Sequence, residues 1–173
     1  FSTGIRKSEL INLKLSDLKI QGGHHTITII AKGGKRLIKV LHPNCVEIIQ
    51  NYLNWMSGKG REVNNDDYLL QPTKNPLTGD KNLEGLNKSL RPSSIDYIVK
   101  TWCKRAGITE RITPHSARAS YIGSALESGE DLWKVAQDVG HSSVRTTEIY
   151  NKRRQQLKDS PAYNLGYFDK KKA

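Results

Sequence analysis

The sequence predicts an α+β fold, mainly α-helical, with a small three-stranded antiparallel sheet near the N-terminus. Two observations carry this. Threonine and isoleucine alternate in "HHTITIIA" (24–31), ahead of a Gly-Gly turn and a second apolar run, "RLIKVL" (36–41); β-branched alternation on both sides of a tight turn is a hairpin signature. From residue 44 onward, apolar residues recur instead at three- and four-residue spacing, which is the period of a helix buried on one face.

Taken in order, "KSELINL" (7–13) sets Leu10, Ile11 and Leu13 on one side and predicts a short helix, which Ser16 and Asp17 break. "LKI" (18–20) is the first strand, separated by Gly22 and Gly23 from the second, 24–31, and "KGGK" (32–35) turns into the third, 36–41. In 44–57, Val46, Ile49 and Leu53 fall at helical spacing, with Asn44 expected as the N-cap after Pro43. Residues 58–91 are rich in Gly, Asn, Asp and Pro and read mostly as loop, with one short strand or turn at "YLL" (68–70). "PSSIDYIVKTWCKRAG" (92–107) spaces Ile95, Ile98, Val99 and Trp102 as one helical stripe, opened by Pro92 and closed by Gly107. A helix over 116–127 ends at Gly129. A further one carries Leu132, Val135, Ala136 and Val139 and ends at Gly140, and a last one starts near Ser142 or Ser143 and holds Tyr150.

A chain of 173 residues with 36% hydrophobic content can build one core, so a single domain spanning 1–173 is expected. It enters a helical pattern almost at once, and is therefore expected to be a piece of a longer protein. Lysine and arginine number 28 against 17 acids, a formal charge of +11. Such an excess favours a polyanionic partner, nucleic acid first and an anionic membrane surface second. No apolar run approaches the ~20 residues that span a bilayer, and the N-terminus has no signal-peptide pattern, so the expected location is the cytoplasm. Cys45 and Cys103 sit in helical apolar patterns and are expected to be reduced core residues.

Several segments bear chemistry. Arg6 opens the first helix; Lys32 stands at the end of a strand, before two glycines that let another backbone come close. His115 and Arg118, three residues apart in "TPHSARAS", share a face near a helix N-terminus. Free N–H groups and the helix dipole attract phosphate there; equally, His115 could cap or pack locally. His141 follows Gly140 at a helix junction, where a capping role is common, and Tyr150 lies nine residues further on amid Arg145, Lys152, Arg153 and Arg154. A phenol that only filled a core would need no such cationic company. The five histidines, His24, His25, His42, His115 and His141, form no His-x-x-x-His pair, and the cysteines are far apart, so no metal site is expected. "KGGK" lacks the spacing of a Walker loop, and no G-x-S-x-G elbow is present.

In order and spacing these segments resemble the catalytic domain of the tyrosine recombinases, the phage integrase family. "TGIRKSEL" looks like its first arginine box, "AKGGKRLIKV" its β-hairpin lysine segment, "TPHSARAS" its His-x-x-Arg box, and "VGHSSVRTTEIY" its terminal box. The resemblance spans Thr3 to about Tyr150. By position it makes Arg6 and Arg118 the two arginines, Lys32 the lysine (with Lys35 a neighbouring rival), His115 and His141 the histidines, and Tyr150 the nucleophile. One departure is plain: the family commonly flanks its second arginine with leucine and histidine, where this chain has Ala117 and Ala119.

The resemblance implies strand cleavage and rejoining in double-stranded DNA through a 3′-phosphotyrosine, with no cofactor and no metal. It also implies assembly with other protomers, a tetramer in the synaptic complex, and an upstream DNA-clamping domain that this sequence does not include. The segment 158–173, which carries Tyr163, Leu165, Tyr167 and Phe168, is expected to form a tail that docks on a neighbour or folds back. Two other readings fit the basic charge: a DNA-binding module without catalysis, and strand relaxation of the type IB topoisomerase kind.

Overall fold

The computed structural model describes residues 2–73 and 87–152. The tail 158–173, part of the 58–91 loop and the side chain of Lys32 lie outside the described part. Helix α1 (Lys7–Ile11) is followed by strands β1 (Leu18–Gln21), β2 (His24–Ile30) and β3 (Arg36–Val40). Helices α2 (Pro43–Ser57), α3 (Pro92–Arg105), α4 (Pro114–Glu127), α5 (Leu132–Asp138) and α6 (Val144–Lys152) complete the described architecture. The strands form one antiparallel sheet in the order β1-β2-β3.

Register follows from which face must be dry. Ile27 pairs with Leu18 on one side and Lys39 on the other, and Ile29 pairs with Leu37. Side chains alternate across a strand, so these positions share the inner face. Ile27 and Ile29 are buried there with Leu13, Leu41 and Leu69, and Val46 and Ile49 of α2 pack against them. Residues 65–69 run beside 13–16: Leu69 donates to the Leu13 carbonyl at 2.8 Å and Leu15 to that of Asp67 at 2.9 Å. The short strand expected at 68–70 is thus a single bridge, Lys14 to Tyr68.

A second apolar cluster joins Ile122 of α4 to Val135 and Val139, with Tyr121, Leu126 and Tyr150 packed against it. Helix α5 ends in a Schellman turn: Gly140 N–H donates to the Gln137 carbonyl at 3.0 Å and His141 N–H to that of Ala136 at 2.9 Å. Gly140 has φ +66°, in the left-handed region that only glycine enters without strain.

Two expectations need correction. The N-cap of α2 is His42, not Asn44: His42 Nδ1 accepts from the Asn44 N–H at 3.2 Å, and Pro43 takes the first helical position. The stripe on α3 is only partly covered. Ile95 is buried, whereas Ile98 and Trp102 are exposed, with the Arg105 guanidinium lying 5.0 Å from the centre of the Trp102 ring. Cys45 and Cys103 are free thiols, partly rather than fully buried.

Candidate active site

The site forms in the seam between the two clusters. Arg6 precedes α1, and its backbone N–H donates to Glu9 Oε2 at 2.8 Å, closing the first helical turn. Its Nη1 pairs with Glu9 Oε1 at 2.8 Å and its Nη2 donates to the Gly140 carbonyl at 3.1 Å. Arg118 projects from the inner face of α4 and is buried. Its Nη1 donates to the Gly4 carbonyl and its Nη2 to the Val139 carbonyl, both at 2.6 Å.

Both arginines therefore hold the C-terminal turn of α5, where carbonyl oxygens concentrate negative partial charge. This answers how two guanidinium groups can sit so close: each is held by carbonyls, and Glu9 adds a full negative charge. The proximity still has an effect. Burial pushes the Arg118 pKa down, with the charge of Arg6 acting the same way, while Glu9, Tyr150 and Asp138 oppose it. The bonds described use two of the five N–H donors of each guanidinium; Arg6 is half-buried, whereas Arg118 is buried.

His141 lies next to both. Burial, then the charges of Arg118 and Arg6, push its pKa down to about 4, so the ring is neutral at pH 7. Its Nδ1 stands 2.7 Å from Thr147 Oγ1, and Thr147 is fully buried one turn before the tyrosine. A neutral imidazole donates from one nitrogen only. Either atom can donate in this contact; where the Thr147 hydroxyl donates to Nδ1, the proton resides on Nε2.

His115 and Tyr150 share an open cleft of about 540 Å³, lined also by Ser116, Ala119, Ser120, Thr146 and Ile149. His115 is exposed. It does not cap α4; Thr113 does, its Oγ1 accepting from the Ser116 N–H at 3.1 Å. Ala119, where the family commonly has histidine, lines the cleft, and Ala117 is buried. Lys32 stands in the hairpin turn Lys32–Gly34 between β2 and β3.

The structure thus brings Arg6, Arg118 and His141 into one cluster and sets His115 with Tyr150 along the adjoining cleft. For Lys32 it gives the place of the backbone. Sequence reasoning missed Glu9, Thr147 and Asp138. Glu9 had a legible signal, an acid three residues after the residue that opens a helix; the others had none. Among the described residues no group of three or more His, Cys, Asp or Glu could hold a metal ion, and no helix is long and apolar enough to cross a membrane.

A small antiparallel sheet and a helical body thus carry two arginines and a histidine near a tyrosine. The chain belongs to the phage integrase family, the tyrosine recombinases, whose model matches residues 1–156. It is 35% identical over 153 residues to the tyrosine recombinase XerA of Pyrococcus furiosus, covering 88% of this chain and 47% of that protein. The crystal structure of XerA recombinase superposes with a TM-score of 0.68 at 30% identity, over 96% of this chain and 53% of that one. A XerH site-specific recombinase bound to difH substrate in a pre-cleavage complex gives a TM-score of 0.67 at 25% identity, over 87% and 39% of the two chains. This chain spans about half the length of the curated relatives it matches.

Proposed function

We propose that this chain is the catalytic unit of a site-specific DNA recombinase. The observation that carries the reading is the placement of Arg6 and Arg118 on successive carbonyls of one turn, with His141 beside them and Tyr150 on the adjoining helix.

The Tyr150 phenolic oxygen attacks a backbone phosphorus. The new bond is Oη–P and the broken bond is P–O5′. The phenolic proton passes to His115, and Lys32 gives a proton to the leaving 5′ oxygen. Charge growing on the non-bridging oxygens is met by the free N–H groups of Arg6 and Arg118 and by His141 Nε2–H. Losing one such donor typically costs ~3–4 kcal/mol, or ~10²–10³ in rate. A 5′ hydroxyl from a second strand then attacks the phosphotyrosine and reverses the step. Bond energy is kept in the ester, so the reaction needs neither nucleotide nor metal. Double-stranded DNA is the substrate, four protomers assemble on it for exchange, and the work is done in the cytoplasm.

The test is covalent capture. The chain is incubated with a pool of nicked duplexes with randomised flanks, with and without chelator, and denatured. Wild-type protein is expected to retain DNA under both conditions and Tyr150→Phe none. Retention by Tyr150→Phe, or none by the wild type, overturns the reading. Relaxation of supercoiled plasmid without exchanged products would instead assign strand relaxation.

A further inference from the structure

Lys39 is the anomaly of the sheet. It lies on the inner face of β3, opposite Ile27, and is only 2% exposed. The neighbouring inward positions hold leucine and isoleucine, and an apolar residue would stabilise the sheet at least as well, because burying an ammonium is expensive even when it is paired.

The ammonium is held from two elements. Lys39 Nζ pairs with Asp138 Oδ2 at 2.8 Å, and it lies 5.4 Å from the centre of the Tyr121 ring. The Tyr121 hydroxyl donates to the same Asp138 oxygen at 2.9 Å. The other charged groups that bear on it are Arg118 of α4, which disfavours its charge, and Glu9 of α1, which favours it. Burial is the largest influence and pushes its pKa down.

Two residues before Lys39 on the same face, Leu37 packs against Gly140; a Cβ there would come within 2.5 Å of Leu37 Cδ1. The face of β3 therefore touches both ends of the Asp138–Gly140 turn, the turn whose carbonyls hold Arg6 and Arg118. Three residues separate Arg36, where β3 starts, from Lys32 in the hairpin turn.

We infer that Lys39 is a positioning residue: through Asp138 and Tyr121 it ties the hairpin that bears Lys32 to the turn that holds Arg6 and Arg118. This rests on the recombinase reading above. Lysine on the hairpin and arginines on the helical body come from separate elements, and protonation of the leaving group fails if they drift apart. An ionic link buried at its lysine end and partly exposed at Asp138 fixes that relation, at some cost to stability.

Lys39→Met keeps length and removes the charge, and Asp138→Asn is the second variant should the first not fold. Hydrogen exchange on the free protein is one arm. Protection at the amides of Ala31, Gly34 and His141 is expected to fall about tenfold, with Gly58 at the end of α2 unchanged. Unchanged protection at those three amides, or an equal fall at Gly58, overturns the link.

The second arm measures covalent adduct on the duplex that the wild type selects, with an ordinary phosphodiester or a 5′-bridging phosphorothiolate. A thiolate leaves without a proton. Lys39→Met is expected to slow adduct formation at least about tenfold on the ordinary linkage and less than about threefold on the sulfur one. Equal defects on both linkages, or none on the first, overturn the inference. If the wild type selects no duplex, the recombinase reading has failed, and the exchange arm still decides whether Lys39 makes the link.

Discussion

Arg6 and Arg118 hold neighbouring peptide carbonyls of a single turn, the first Gly140 at 3.1 Å and the second Val139 at 2.6 Å. Arg118 also satisfies Gly4, so this side chain is a structural staple as well as a proposed phosphate ligand. Replacing it by methionine leaves two carbonyls without a donor. Arg118→Met is expected to lose about 2–4 kcal/mol of stability, measured by urea unfolding, in addition to its activity. A variant as stable as the wild type would contradict the staple.

Gly140 is constrained twice, by its positive φ and by the approach of Leu37. Gly140→Ala is expected to cost about 1–3 kcal/mol. Its cost should shrink by about 1 kcal/mol in a Leu37→Ala background, because the clash disappears while the backbone strain stays. A double-mutant cycle in urea gives the coupling directly.

His141 links pH to stability. Its pKa is about 4 in the folded protein against 6.5 when free. Above pH 6.5 the ring is neutral in both states, and its neutral form is fully accommodated. As pH falls towards 4, the unfolded chain binds a proton that the folded chain resists, so stability declines across that window. His141→Asn is expected to lose less stability than the wild type between pH 6.5 and 4. Urea midpoints measured through the window compare the two slopes.

Thr147 fixes the His141 ring through one hydroxyl. Thr147→Val keeps the volume and removes that partner, so the tautomer with the proton on Nε2, which a donating Thr147 hydroxyl favours, loses its support. Covalent adduct formation is expected to slow about 10–100-fold, with Thr147→Ser restoring most of the rate. Equal rates in Thr147→Val and wild type would remove the tautomer argument.

The net charge of +11 should be visible in the salt dependence of binding. If about six phosphates are contacted, log K falls against log salt with a slope near −5. Fluorescence anisotropy over a range of potassium chloride concentrations measures it, and a flat line would remove the phosphate-tracking role.

Much of the fold was legible because its signals are local. Helix α5 was readable from Leu132, Val135, Ala136 and Val139, with Gly140 as its stop, and three of those four apolar residues are buried. The hairpin was readable from its alternation. Helix α3 shows the limit: periodicity fixed a helix, but could not say that Ile98 and Trp102 would stay uncovered, since that depends on which elements come to lie over them. The cap of α2 was misread because a histidine can accept through Nδ1 as an asparagine does through its side-chain oxygen.

By itself the sequence settled which segments become helix or strand, and it displayed the basic, phenolic and imidazole groups in recognisable order, because backbone propensity and side-chain period act over a few residues. Only the tertiary structure decided which of those groups meet. Arg6 reaches a carbonyl 134 positions away and Lys39 an acid 99 positions away. Such partners are chosen by the packing of the sheet and α4 around the end of α5, where a buried charge must find its counterpart or go unpaired.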